Sequence, residues 1–335
     1  MNQEKEKQII IKVENLVKYF PIYGGLFDKK IADVKSVDDI SFEVKQGETY
    51  SLVGESGAGK TTAAKAAIRL YEPTSGKLLF RRDTTKELED ITKIKGEALR
   101  SLRKNVQIIF QDPSGSLNPR IPVGDIISEP LIVHGYKNRK EIQEKVVRIM
   151  EIVGLRPEYL KRYQHEFSGG QRQRIGIARA LVLNPAFIVC DEAVSALDVS
   201  IQSQIINLLQ KLQSDFNLTY LFIAHDLAVV RHMSDTIGVM YLGKLMEVSP
   251  NATLFNQPLH PYTKALLNAV PIPNPEINRD RKIIMGDIPS PINPPSGCRF
   301  RTRCPYAIQD CSEIIPELKE YEKDHFAACI RIGQI

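Results

Sequence analysis

Apolar residues recur along the chain in two rhythms. Short runs, either alternating or unbroken, fall at 9–13, 37–44, 49–53, 77–82, 106–110, 187–190 and 220–224, and each predicts a strand. Helical spacing marks 61–70, 139–153 (Ile142, Val146, Ile149, Met150, Val153), 170–183 and 201–216. The alternation of strands with helices predicts an α/β protein with a parallel sheet, in which ligands sit at the carboxyl ends of the strands. Other stretches break the pattern. Residues 21–35, with Pro21, Gly24 and Gly25, read as an exposed loop, and 112–170 reads as a helical insertion into the sheet protein. Prolines crowd 268–297, which predicts a linker ahead of a small C-terminal module.

Three predicted strands end in residues that carry chemistry. The first ends in Gly54-Glu55-Ser56-Gly57-Ala58-Gly59-Lys60-Thr61-Thr62, which satisfies G-x-x-x-x-G-K-[ST] between a strand and a helix. Glycines at these positions let successive N–H groups point at phosphate oxygens, and the following helix adds the positive end of its dipole. Lys60 is then placed for the β- and γ-phosphates, Thr61 for Mg²⁺ and Thr62 for the α-phosphate; the plain alternative is a glycine-rich strand-to-helix turn. A second strand ends in Asp191-Glu192. Two carboxylates at the end of a buried strand are costly without a metal or partner, so Asp191 is expected to hold Mg²⁺ and Glu192 to polarise a water, against the alternative of a solvated strand end. His225 ends the third strand, where it is either a polar cap or a further catalytic group.

Ser168-Gly169-Gly170-Gln171 opens the 170–183 helix and makes either an anion site or a ligand-free N-terminal cap. Composition narrows the class. The 335 residues, 43% hydrophobic, suffice for one large or two medium domains. No run reaches the ~18 apolar residues of a membrane helix, and the charged start at residues 1–7 is unlike a signal sequence, so a soluble chain is expected. With 45 basic and 40 acidic residues interspersed, a net charge of +5 does not call for nucleic acid. Of five cysteines, Cys298, Cys304, Cys311 and Cys329 crowd the C-terminus in the spacing C-x₅-C-x₆-C-x₁₇-C, which in a cytoplasmic chain suggests metal or cluster ligation before disulfides. Cys304 precedes a proline, as the last ligand of a ferredoxin-type run does, and Arg299, Arg301 and Arg303 would offset thiolate charge.

Taken together, these motifs resemble the ATP-binding subunits of ABC transporters. Residues 54–62 match the Walker A loop, Gln111 the Q-loop, 167–171 the signature motif (with Phe167 where leucine is commonest), 187–192 Walker B, 195–198 the D-loop and His225 the H-loop. The resemblance spans residues 9–250 and implies a P-loop NTPase fold: a RecA-like core, an antiparallel β subdomain, a helical subdomain near 112–170, and an extension over 251–335 holding the cysteine module at 298–329. It implies ATP and Mg²⁺ as cofactors, with Glu192, His225 and Gln111 catalytic and Thr61, Gln111 and Asp191 around Mg²⁺. Phe20 is implied as the ring that stacks on adenine, with Tyr19 as the fallback. Ser168, Gly169, Gly170, Gln171 and Asp198 are implied to meet the nucleotide of a second subunit in a head-to-tail dimer.

Within the family, 21–35, Phe110-Gln111-Asp112-Pro113, His260-Pro261-Tyr262-Thr263 and the tail from Gly286 into Cys298 resemble oligopeptide/dipeptide importer ATPases, most of all the second ATPase subunit of the oligopeptide system. Peptide import at the cytoplasmic face of the membrane is therefore expected, with a second ATPase subunit, two permeases and an extracellular solute-binding protein as partners and no nucleic acid. Nickel and glutathione importers share much of the pattern. A soluble ABC ATPase of DNA repair or translation, which calls for a coiled-coil insertion or fused cassettes, and a regulatory metal-binding protein with a degenerate nucleotide site are the readings from other classes. Members of the peptide-importer family that resemble this tail can carry a [4Fe–4S] cluster, so the resemblance ranks a cluster first for the four cysteines, zinc second and free thiols third.

Overall fold

The computed structural model describes residues 7–24, 28–82, 87–269 and 286–335. Much of the expected linker at 268–297 lies outside the described residues. The chain forms two compact bodies, one of Met1–Ile11, Val44–Glu48 and Phe80–Ile223, the other of Lys12–Glu43, Thr49–Leu79 and Ala224–Ile335.

In the first body, strands Val106–Ile109, Phe187–Asp191 and Thr219–Ile223 run parallel, with Val106 opposite Phe187 and Asp191 opposite Ile223. Every residue of the second and third strands is buried, as strands covered on both faces require. Parallel neighbours need a crossover, and the helix Val199–Phe216 supplies it, ending where Asn217 takes the left-handed conformation. The expected helical insertion is present as Pro113–Ser116, Val123–Val133 and Arg139–Ile152. Asn138 caps the last of these through Lys140 N–H at 3.1 Å, and Val146, Ile149 and Met150 are its buried face.

The second body holds the strand Thr49–Val53, parallel to Thr236–Tyr241. Thr236–Tyr241 turns through Leu242 and Gly243, both at positive φ, into the antiparallel Lys244–Pro250. Two positive φ values suit a two-residue hairpin, because the turn then twists with its strands. Strands His325–Ala327 and Lys319–Glu322 continue this sheet antiparallel, with Glu247 opposite Ala327. The cysteine-bearing tail is thus joined to the body by a backbone ladder.

Residues 21–35 depart from the loop expectation. Of these, 21–24 belong to the strand Ile9–Gly24 and 29–35 to its neighbour Lys29–Lys45, Ser75–Phe80 flanks the first of them, and 25–27 lie outside the described residues. Just before that third strand, Thr74 N–H donates to Val17 O at 2.8 Å and its hydroxyl oxygen accepts from Tyr19 N–H at 3.0 Å.

Candidate functional site

The two bodies each carry part of the sequence-derived site. In the second body, the buried strand Thr49–Val53 delivers the chain into the 54–59 loop, and the helix Lys60–Ala67 follows at once. Gly54 and Gly59 sit at φ 147° and 101°, and a Cβ on either would collide with a backbone carbonyl, of Met240 and Ser36 respectively. Both positions therefore demand glycine, for conformation and for space. Lys60, 5% exposed, donates from Nζ to the carbonyls of Gly54 (2.8 Å) and Glu55 (3.0 Å), so its ammonium curls back over the loop. Thr61 and Thr62 begin the helix half-buried, while Ser56 and Gly57 are exposed. Ala58 donates to Glu55 O and accepts from Gly243 N–H.

Phe20, Tyr19 and His225 belong to the same body. Phe20 stands edge-on to Tyr71, ring centroids 5.6 Å apart, with Lys18 Nζ 4.8 Å from its centroid. Tyr19 donates its hydroxyl to Asp38, and burial with that bond pushes its phenol up to about 12, so this ring is committed to the protein. His225 is exposed just before the helix Leu227–Met233, which Asp226 caps through Ala228 N–H at 2.8 Å.

In the first body, Asp191 ends its strand at 3% exposure and Glu192 follows at φ 46°. A non-glycine residue in the left-handed region is strained, and here Glu192 N–H donates to Ile223 O while its carbonyl accepts from Ser195 N–H and Oγ. These bonds hold the carboxylate of Glu192 out from the sheet end. Gln111 reaches it, donating from Nε2 to Glu192 Oε2 at 2.7 Å. Residues separated by 81 positions are thereby joined side chain to side chain.

Ser168 caps the helix Gly169–Leu181 reciprocally: Gln171 N–H donates to Ser168 Oγ (3.3 Å), and Ser168 N–H to Gln171 Oε1 (3.0 Å). Both polar side chains of this segment are thus used within the cap, while Phe167 is buried beneath it. Cβ atoms on Gly169 and Gly170 would meet Leu197 and Ile201, at 3.5 and 2.5 Å, so the signature segment and the 195–201 segment form one surface. Asp198 and Val199 are exposed on it, the latter by 80%.

The four C-terminal cysteines line one cavity in the second body, but among the described residues no group of three or more His, Cys, Asp or Glu side chains is arranged to hold a metal ion. Burial pushes the Cys298 thiol up to about 11 and raises those of Cys304 and Cys329. The arginines depart from expectation. Arg299 pairs with Asp38 and Arg303 with Glu55, leaving Arg301 at the cavity together with Arg331. Alternation alone could not separate these roles, because the carboxylates that claim Arg299 and Arg303 lie some 250 residues away in sequence (261 and 248).

A phosphate-type loop before a helix, together with a parallel sheet ending in paired carboxylates, defines a P-loop nucleotide-binding protein. Residues 37–195 match the ABC transporter family model, and 246–311 match the oligopeptide/dipeptide transporter C-terminal region. The oligopeptide transport ATP-binding protein AppF of Bacillus subtilis (strain 168) is 54% identical over 96% of this chain and 97% of its own length. OppF of Haemophilus influenzae, also an oligopeptide transport ATP-binding protein, is 48% identical over 99% of this chain and 100% of its own. Among solved structures, cbiO1 of Clostridium perfringens, part of the ABC transporter complex cbiONQ, is 25% identical (TM-score 0.62, covering 75% of this chain and 92% of that one). The ATP-binding cassette MJ0796, solved as a dimer with ADP and Pi, shares the fold at 24% identity (TM-score 0.62, 72% of this chain and 99% of that one). The chain belongs to the ABC transporter ATP-binding proteins, in the oligopeptide/dipeptide branch.

Proposed function

We propose that this chain hydrolyses ATP to drive peptide import, as a peripheral subunit on the cytoplasmic face of a membrane transporter. Among the described residues no helix is long and apolar enough to cross a membrane. The observation that carries the catalytic reading is the 2.7 Å bond from Gln111 to Glu192, beside the buried Asp191. It orients a carboxylate as the organiser of an attacking water and ties it to the segment expected to report permease docking. Lys60 and the 54–62 backbone take the phosphates, Phe20 the adenine, and His225 the γ-phosphate end. Mg²⁺ supplies charge neutralisation on the phosphates when bound, and the hydroxyl, carboxylate and amide oxygens of Thr61, Asp191 and Gln111 are the hard donors it prefers.

The exposed surface of Ser168, Asp198 and Val199 supports a head-to-tail partner, a second ATPase subunit whose nucleotide this segment completes. Two permeases and an extracellular solute-binding protein complete the assembly. Glu192→Gln keeps shape but removes the charge that organises water. ATP binding in the assembled importer should persist while hydrolysis falls by ~10²- to 10⁴-fold. Turnover near that of the unaltered protein would refute the assignment.

We further propose that Cys298, Cys304, Cys311 and Cys329 hold a [4Fe–4S] cluster with a structural role. Their soft sulfur donors and shared cavity support it, and ligation would offset the cost of ionising thiols whose pKa burial raises. Anaerobically purified protein should absorb broadly near ~400 nm, as thiolate-bound iron clusters do, and lose that absorption in Cys304→Ser. Colourless protein carrying one zinc, or no metal after growth in iron-replete medium, would exclude the cluster.

A further inference from the structure

One bidentate polar contact of the C-terminal module is made with the phosphate loop rather than around the cysteines. Arg303 donates from Nη1 to Glu55 Oε2 at 2.6 Å and from Nη2 to Glu55 Oε1 at 3.0 Å, a bidentate pair. Its side chain is 6% exposed, and its guanidinium also lies 5.8 Å from the Tyr241 ring centroid. Phe300 mounts the segment that carries Arg303: it packs edge-on to Tyr241 at 5.3 Å and tilted on Tyr262 at 5.2 Å, and all three rings are buried. Tyr262 takes the other end of the same residue, its hydroxyl accepting from Glu55 N–H at 2.9 Å. Glu55 is therefore held at backbone and side chain by two residues from beyond position 260.

We propose that Arg303 is a positioning residue for ATP, through which the C-terminal module sets the nucleotide affinity of the phosphate loop. The proposal rests on the reading that this loop takes the phosphates of ATP. Glu55 follows Gly54, and the carbonyls of these two residues hold Lys60 Nζ, so the Glu55 carboxylate belongs to the same loop as the phosphate-binding ammonium. Its charge is what Arg303 offsets. A carboxylate inside an anion-binding loop repels the triphosphate, and the guanidinium cancels it at contact distance. An exposed pair would matter little, but this one is largely withdrawn from water, where screening is weak.

The test measures ATP binding by the full-length chain, and KM and kcat in the assembled transporter. Arg303→Ala leaves the Glu55 charge uncompensated and should raise the Kd and KM for ATP roughly tenfold, the scale of one charge acting over about 10 Å at an effective dielectric near 20. The kcat at saturating ATP should stay within about twofold, because the reacting groups are untouched. Arg303→Lys, which keeps the charge but loses the fork, should fall between. The diagnostic variant is Glu55→Gln/Arg303→Ala: with no carboxylate left to neutralise, affinity should return to within about threefold of the starting protein. A double variant no better than Arg303→Ala, or a Kd for Arg303→Ala within about twofold of the starting value, would overturn the proposal and leave Arg303 a purely structural brace. If Arg303→Ala does not fold, Glu55→Gln alone decides: equal or tighter ATP binding supports the charge argument, and a tenfold loss overturns it. Lys60→Ala separates the two readings. Binding that survives Lys60→Ala removes the phosphate-loop assignment itself, whereas binding lost in Lys60→Ala but unchanged in Arg303→Ala removes only the role of Arg303.

Discussion

Glu247 offers the sharpest test of how the C-terminal extension is fastened. It is fully buried, yet accepts three hydrogen bonds: from Leu259 N–H and His260 N–H at 2.8 Å each, and with His325 Nε2 at 2.7 Å. One carboxylate therefore joins its own strand, the turn before helix Pro261–Ala269, and the terminal strand His325–Ala327. Glu247→Ala removes the acceptor and strands three buried donors. Bonds to a charged group contribute ~1.5–3 kcal/mol each, but relaxation and entering water recover part of the loss, so we expect about 4 kcal/mol of destabilisation. Glu247→Gln should cost about half of that, because its NH₂ must face a backbone N–H in place of an oxygen. The assay is urea denaturation followed by far-ultraviolet circular dichroism, since the chain has no tryptophan to report by fluorescence. His325→Ala alone should cost about 2 kcal/mol, and Glu247→Ala/His325→Ala less than the sum by at least ~1 kcal/mol. Additive losses, or a cost under about 1 kcal/mol for Glu247→Ala, would refute the argument that this carboxylate is the junction.

Two further outcomes are expected. Burial lowers His260 from 6.5 to about 4, and its Nδ1 accepts from Tyr262 N–H at 3.0 Å, so the folded state keeps it neutral while the unfolded chain takes up a proton below pH ~6.5. Stability should fall by ~1.4 kcal/mol per unit as pH drops from about 6.5 to about 4, for a total near 3 kcal/mol, and the difference between the protein and His260→Gln should show that slope; parallel curves would refute it. Gly169→Asp puts a carboxylate on the exposed signature surface, so dimerisation with ATP should be lost by light scattering while monomer ATP binding holds, and equal loss of both would show that this segment serves its own chain's nucleotide.

Local chemistry was legible in the sequence where a short motif carries its own geometry. The 54–62 loop, the buried run ending at Asp191 and the Ser168–Gln171 cap all stand where spacing placed them, because each depends on neighbours within a few residues. The 21–35 stretch misled because Pro21 and Gly24 are turn residues by local rules, while the two long strands are set by cross-strand pairing. The contacts of Glu55 with Tyr262 and Arg303 were out of reach for a related reason. They join positions 207 and 248 apart, and nothing near Arg303 distinguishes it from Arg301.

The terminal strands have a consequence for expression. Lys244–Pro250 would be the outer strand of its sheet if the chain stopped before residue 319, since His325–Ala327 is its neighbour on that side. Its buried Leu245 and Met246 and half-buried Val248 would then flank an unpaired row of N–H and C=O groups, the template on which strands of separate molecules add to one another. Shortened versions of this protein should self-associate for that reason alone, whatever becomes of the cysteines.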